Sequence, residues 1–190
     1  MSHVNTQHIY TKQNSLSRKS TIPAKSKINN TLENNIVKPH FITAICPLAQ
    51  LRTVNAIGYI VELGSNKNAN KHLAQARYQL SKLCQQSTWS DAFVNPDYTA
   101  TANNPKPDYT NQCGLLKIAV GQIDTEELVQ ATKAIERQIG HSCNQQVLID
   151  IDVLAVVTTE GVFAVAERYP FKEHEWIGLN ELYSKGCYHF

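Results

Sequence analysis

Leu148-Ile149-Asp150-Ile151-Asp152-Val153-Leu154 sets two carboxylates two residues apart inside an apolar run. From Val147 to Val157 the chain is aliphatic and β-branched enough to predict a buried strand. Side chains along a strand alternate faces, so Asp150 and Asp152 share one face while Ile149, Ile151 and Val153 take the other. Like charges that close repel and raise each other's pKa unless a cation or a cluster of donors sits between them. Ligation by one or two carboxylates suits Mg²⁺, which completes its shell with water and substrate phosphates. The motif therefore points to phosphoryl-type chemistry. A solvated strand end, or two acids hydrogen-bonded to their surroundings, is the alternative.

Upstream of that strand, Ala56–Leu63 predicts another, broken by the turn-forming Gly64-Ser65-Asn66. Between Lys67 and Gln86 the residues Leu73, Ala76, Leu80, Leu83 and Cys84 recur at helical spacing. Thr88–Val94 predicts a second strand. Asn95–Asp108, with Pro96, Pro105 and Pro107, is a polar loop of a length that is often functional in compact domains. Tyr109–Gln122 returns to a strand. Asp124 then caps a helix, Glu127 closes its capping box, and Gly140 stops it. Leu128, Ala131, Thr132, Ile135 and Ile139 are its inner stripe. Beyond the acidic strand, Val162–Ala166 predicts a short strand and His174–Tyr183 a last helix. The order β-α-β-β-α-β predicts an α+β fold of ferredoxin-like type, an antiparallel sheet with helices on one face. Such a fold hosts many functions and settles none.

The chain has 190 residues, 42% of them hydrophobic, enough for one domain and an extension. Residues 1–40 carry six Lys/Arg (Lys12, Arg18, Lys19, Lys25, Lys27, Lys38) against Glu33, a net +5, which leaves −3 for the rest. That remainder argues against a basic face for nucleic acid. No stretch is apolar for the roughly 18–20 residues that a membrane span needs. Five cysteines (Cys46, Cys84, Cys113, Cys143, Cys187) show no zinc-like spacing and are expected as free thiols in a reducing cytoplasm. Residues 1–55 are expected to be a disordered or loosely packed extension, and residues 56–190 the domain. A tail, a start codon placed too early, or an organelle transit peptide would each give residues 1–40 this composition. Phe41–Leu51 is apolar enough to pack, at a place the sequence does not specify. A cytoplasmic monomer is expected.

Four stretches resemble the 6-hydroxymethyl-7,8-dihydropterin pyrophosphokinases of folate synthesis. They are Leu63-Gly64-Ser65-Asn66, Pro107-Asp108-Tyr109-Thr110-Asn111, Ile135-Glu136-Arg137-Gln138 and Leu148-Ile149-Asp150-Ile151-Asp152. They come in the family's order, at roughly its spacing, across about residues 57–157. The resemblance implies transfer of the terminal diphosphate of ATP to the pterin's hydroxymethyl oxygen, with release of AMP. It implies that Asp150 and Asp152 bind two Mg²⁺ ions as the catalytic pair, and that Tyr109 and Asn111 hold the pterin. It places Glu136 at a family glutamate near the nucleotide, and the 95–108 loop at a family loop that closes over the site. Without the family, Tyr109 and Asn111 read as an exposed pair and Glu136 as a solvated helical acid.

The departures concern ATP and the pterin's second wall. The family carries a longer loop, with several arginines and a tryptophan, where this chain has Gly140-His141-Ser142-Cys143-Asn144-Gln145-Gln146. Val147 stands where the family has an arginine, and losing an arginine aimed at a transferring phosphate commonly costs orders of magnitude in rate. His141 is a pH-dependent partial substitute. The family's Pro-His appears as Pro170-Phe171, so Phe171 is the candidate second aromatic wall, with Trp176 beside it; either also reads as core. Arg168, Lys172 and His174 are the nearby cations, either phosphate ligands or surface charge. A relative impaired in catalysis, binding a pterin, a nucleotide or a protein partner, is the alternative to an active pyrophosphokinase. A domain without a small ligand is a third.

Overall fold

The computed structural model describes residues 41–140 and 145–188. It contains strands β1 (Ile42–Cys46), β2 (Gly58–Ser65), β3 (Gln86–Trp89), β4 (Phe93–Asn95), β5 (Tyr109–Lys117), β6 (Asp150–Thr158) and β7 (Gly161–Val165). Helices α1 (Ala69–Ser81), α2 (Thr125–Ile139) and α3 (Glu173–Ser184) accompany them. The strands form one sheet in the order β1-β7-β6-β2-β5-β3, with β4 also paired to β5.

β2 is central, and all its residues are buried. Alternation along it divides the interior in two. Tyr59, Val61 and Leu63 point to one side, where Leu73, Ala76 and Leu80 of α1 and Leu128 and Ile135 of α2 cover them. Ile60 points to the other, where Trp176, Leu179 and Leu182 of α3 pack with Cys113, Leu115 and Leu154. Gly178 brings α3 close to β5, since a Cβ there would collide with Cys113.

The expected antiparallel sheet with helices on one face is corrected on both counts. β1 runs parallel to β7, so the sheet is mixed, and α3 lies on the face opposite α1 and α2. The helix at 173–184 was legible, but not the face it covers, because its apolar residues fit either. Phe41–Leu51 supplies β1 and the start of a 3₁₀ helix at Leu48–Thr53. Leu51 is buried, and its carbonyl accepts from the Thr125 hydroxyl at 2.7 Å. The sheet thus reaches into the segment expected as a loose extension; residues 1–40 lie outside the described residues. The strand expected at 88–94 is split into β3 and β4 around Ser90. There the Ser90 hydroxyl accepts from Cys113 N–H (3.0 Å), taking a place a ladder carbonyl would fill. The capping box of α2 forms as expected, with Glu127 N–H to Asp124 at 2.8 Å and Asp124 N–H to Glu127 at 2.9 Å.

Candidate active site

Register assembles the site. β2 sets Gly64 between Asn111 of β5 and Asp150 of β6, and Glu62 between Cys113 and Asp152. Glu62, Gly64, Asn111, Asp150 and Asp152 open, with Tyr109, into a cavity of about 490 Å³ on the α3 side of the sheet. The Asn95–Thr99 segment forms one wall; Arg168, Lys172, Glu173 and His174 form another. A Cβ at Gly64 would lie 2.9 Å from Asn111 Oδ1, so the glycine makes room for the Asn111 side chain on that part of the floor.

The acids are partly neutralised from within. Arg168 Nη2 lies 2.7 Å from Asp152 Oδ2 and 2.9 Å from Glu175 Oε1. Lys133 Nζ lies 3.7 Å from Asp150 Oδ1. Burial and then the charge of Asp150 still hold the Asp152 carboxyl above its usual range, against Arg168 and Lys133. Glu62 is pushed up to about 9 by burial, with Glu175 and Asp152 adding to it. His174 is pulled down to about 4 by burial and by Lys172 and Arg168. Both are therefore neutral near pH 7, and the 3.6 Å from His174 Nε2 to Glu62 Oε2 is a contact rather than an ion pair. Among the described residues, neither Glu62 Oε1 nor His174 Nδ1 has a hydrogen-bond partner.

A family model described as 7,8-dihydro-6-hydroxymethylpterin-pyrophosphokinase (HPPK) matches residues 60–173, from within β2 to the first residue of α3. The chain belongs to the HPPK family. Among curated proteins, none matches it. Membership implies a pyrophosphokinase, and the family works with ATP and Mg²⁺.

Within the HPPK-matched span, the Leu63-Gly64-Ser65-Asn66 stretch has a mechanical explanation. Asn66 donates to Gln145 O (2.9 Å) and accepts from Val147 N–H (2.6 Å), while Asn66 N–H bonds Val147 O (3.0 Å). That bracket fixes the chain just before Asp150. Gln145 Nε2 in turn reaches Asn104 Oδ1 at 3.0 Å, tying the 95–108 loop to the same segment.

Of the residues singled out from sequence, Asp150, Asp152, Tyr109, Asn111, Lys172 and His174 line the cavity. The Asn111 amide nitrogen donates to Asn95 Oδ1, which fixes the side chain and leaves its oxygen beside Gly64. Phe171 is elsewhere. It is buried in the α3-side core, edge-on to Trp176 (5.2 Å) and Tyr169 (5.5 Å). The cavity's second aromatic is Tyr98, stacked on His174 at 5.7 Å and 21°. Glu136 is also absent from the lining. Its Oε1 accepts from Ile151 N–H (2.8 Å) and holds Lys133 Nζ (2.7 Å) near Asp150. His141 lies outside the described residues. Sequence reading missed Glu62 and Tyr98. A charged residue inside the apolar Ile60–Leu63 run was the available signal for Glu62; Tyr98, in a polar loop, gave none.

Proposed function

We propose that this protein transfers the terminal diphosphate of ATP to 6-hydroxymethyl-7,8-dihydropterin, a step of folate synthesis, as a cytoplasmic monomer. The observation carrying this reading is that one cavity holds both the acid pair and the Tyr109/Asn111 pair. In the reaction the hydroxymethyl oxygen bonds the β-phosphorus, and that phosphorus separates from the α-bridging oxygen. AMP leaves with that oxygen, and the hydroxyl proton passes to solvent. Asp150 and Asp152 suit Mg²⁺ because they offer hard oxygen donors on one strand face, with like charge that a divalent ion relieves. Two ions there would neutralise and orient the triphosphate. The protein's own groups do the rest. Tyr109 and Tyr98 offer faces to a flat ring, and Asn111, fixed by Asn95, offers its amide oxygen to a ring N–H. Lys172 and Lys133 bring positive charge to the phosphate side.

The close Arg168–Asp152 pair favours a second reading, a relative that binds the pterin or nucleotide without turnover, because the guanidinium already holds an oxygen the metal needs. AMP release from ATP and Mg²⁺, with and without the pterin, separates the two. Pterin-dependent AMP that vanishes in Asp150→Ala and Asp152→Ala, with both variants folded by circular dichroism, is the expected result. Folded wild type that releases no AMP overturns the enzyme reading and leaves the binding one. Turnover persisting in either variant removes the metal role of the pair.

A further inference from the structure

The proposed reaction leaves Glu62 without a task. It projects from the middle of β2 into the cavity and is only 5% exposed. Its Oε1 has no partner among the described residues, and its Oε2 is 3.6 Å from His174 Nε2, too long for a hydrogen bond. His174 is 8% exposed and also lines the cavity, with Nδ1 unpartnered. A buried polar atom without a partner costs about 1–3 kcal/mol, and native proteins seldom carry two side by side without a reason. The reason supported here is a ligand that supplies the missing donors.

We propose that Glu62 is a specificity-determining residue, its carboxylate accepting the two adjacent N–H groups on the aminopyrimidinone edge of the bound heterocycle, with His174 beside it. The inference rests on the reading that the cavity holds a pterin. Ionised, the carboxyl presents two coplanar acceptors, the match for an amino group next to a ring N–H; these donors favour the charged form, so the proton that Glu62 holds in the empty cavity passes to solvent when the ring binds. Glu62 and, two residues on, Gly64 with its register partner Asn111 all line the cavity, so a flat ring set against Glu62 lies beside Asn111. A ring bearing oxygen in place of the amino group would set an acceptor against Glu62 and be rejected.

A cation is the competing occupant, because Glu62, His174 and Glu175 bring ligand atoms within 4.8 Å of one another. Glu175, however, is already engaged by Arg168 Nη2 (2.9 Å) and Lys172 N–H (2.6 Å). That leaves a cation two ligands, next to a guanidinium.

The test is equilibrium binding of 6-hydroxymethylpterin and of its 2-oxo analogue, 6-hydroxymethyl-lumazine, to the full chain, Glu62→Gln and Glu62→Ala, read by ligand fluorescence. Zn²⁺ is titrated calorimetrically as a third probe. Wild type should prefer the 2-amino ring by on the order of 100-fold, and Glu62→Gln should lose most of that preference. Glu62→Gln keeps the volume and the neutral state of the side chain, so it decides the matter if Glu62→Ala fails to fold. Pterin binding with the preference unchanged in Glu62→Gln overturns the role of Glu62 alone. Stoichiometric Zn²⁺ binding lost in Glu62→Gln overturns it in favour of a cation site. Binding of neither ring by wild type overturns the pterin reading, and this inference with it.

Discussion

Glu62 and His174 put opposite slopes into the pH dependence of folding. The ordinary glutamate value is 4.5, and the folded chain holds Glu62 near 9, so the folded state keeps a proton that the unfolded chain gives up. Stability on this account is full below pH 4.5 and falls as pH rises toward 9. His174 runs the other way. Its ordinary value is 6.5 and its folded value about 4, so stability falls as pH drops from 6.5 toward 4. The two oppose each other at mildly acidic pH, and above 6.5 only Glu62 acts. Denaturant midpoints should therefore fall between pH 6.5 and 8 in wild type and stay level in Glu62→Gln; nearer 9 the buried Cys113 thiol, also pushed up by burial, adds a slope of its own. A wild-type midpoint independent of pH over that range contradicts the burial account of Glu62.

At the scale of elements, the position of His174 depends on how closely α3 approaches β5. An alanine at Gly178 would drive its methyl into Cys113. Overpacking of that kind costs about 1–3 kcal/mol. The helical preference for alanine over glycine returns only about 1. Gly178→Ala should lower the denaturation midpoint, and Cys113→Ala in the same chain should recover part of the loss. A midpoint unmoved by Gly178→Ala would show that α3 has slack against the sheet. The same element marks the limit of sequence reading. The capping box at Asp124, the helical stripe of α2 and the alternation around Asp150 are local patterns, and each appears in the structure. Which face α3 covers, and that β1 would pair with β7, depend on contacts between residues far apart in sequence, such as Gly178 against Cys113 and Thr43 Oγ1 accepting from Val162 N–H. No local period encodes those. Phe171 illustrates the same limit within the site: an aromatic at a family position reads as a ring wall until its neighbour Trp176 draws it into the core.

At the scale of the whole molecule, the segment before β2 closes one end of the α1/α2-side core. Leu51 is buried in it, and Thr125 at the start of α2 bonds its carbonyl. Leu51→Ala should destabilise the fold by about 2–5 kcal/mol, the range for emptying a buried leucine site. The comparison is a denaturant midpoint against Leu48→Ala, at a position only partly buried against that core. Equal, small losses for the two would mean that the 3₁₀ helix is a surface attachment.

Arg168 gives the molecule an internal counterion, and that changes what metal affinity measures. The guanidinium holds Asp152 and Glu175 together. On the proposed reading, a divalent ion that takes Asp152 Oδ2 displaces the guanidinium, so its apparent affinity would be an exchange constant between two cations for one oxygen. Once displaced, the guanidinium is a planar donor well suited to phosphate. A nucleotide that captures it would make displacement easier, and by reciprocity the ion would favour the nucleotide by the same factor. On that reading one side chain would serve in turn as lock on the empty site and as grip on the filled one.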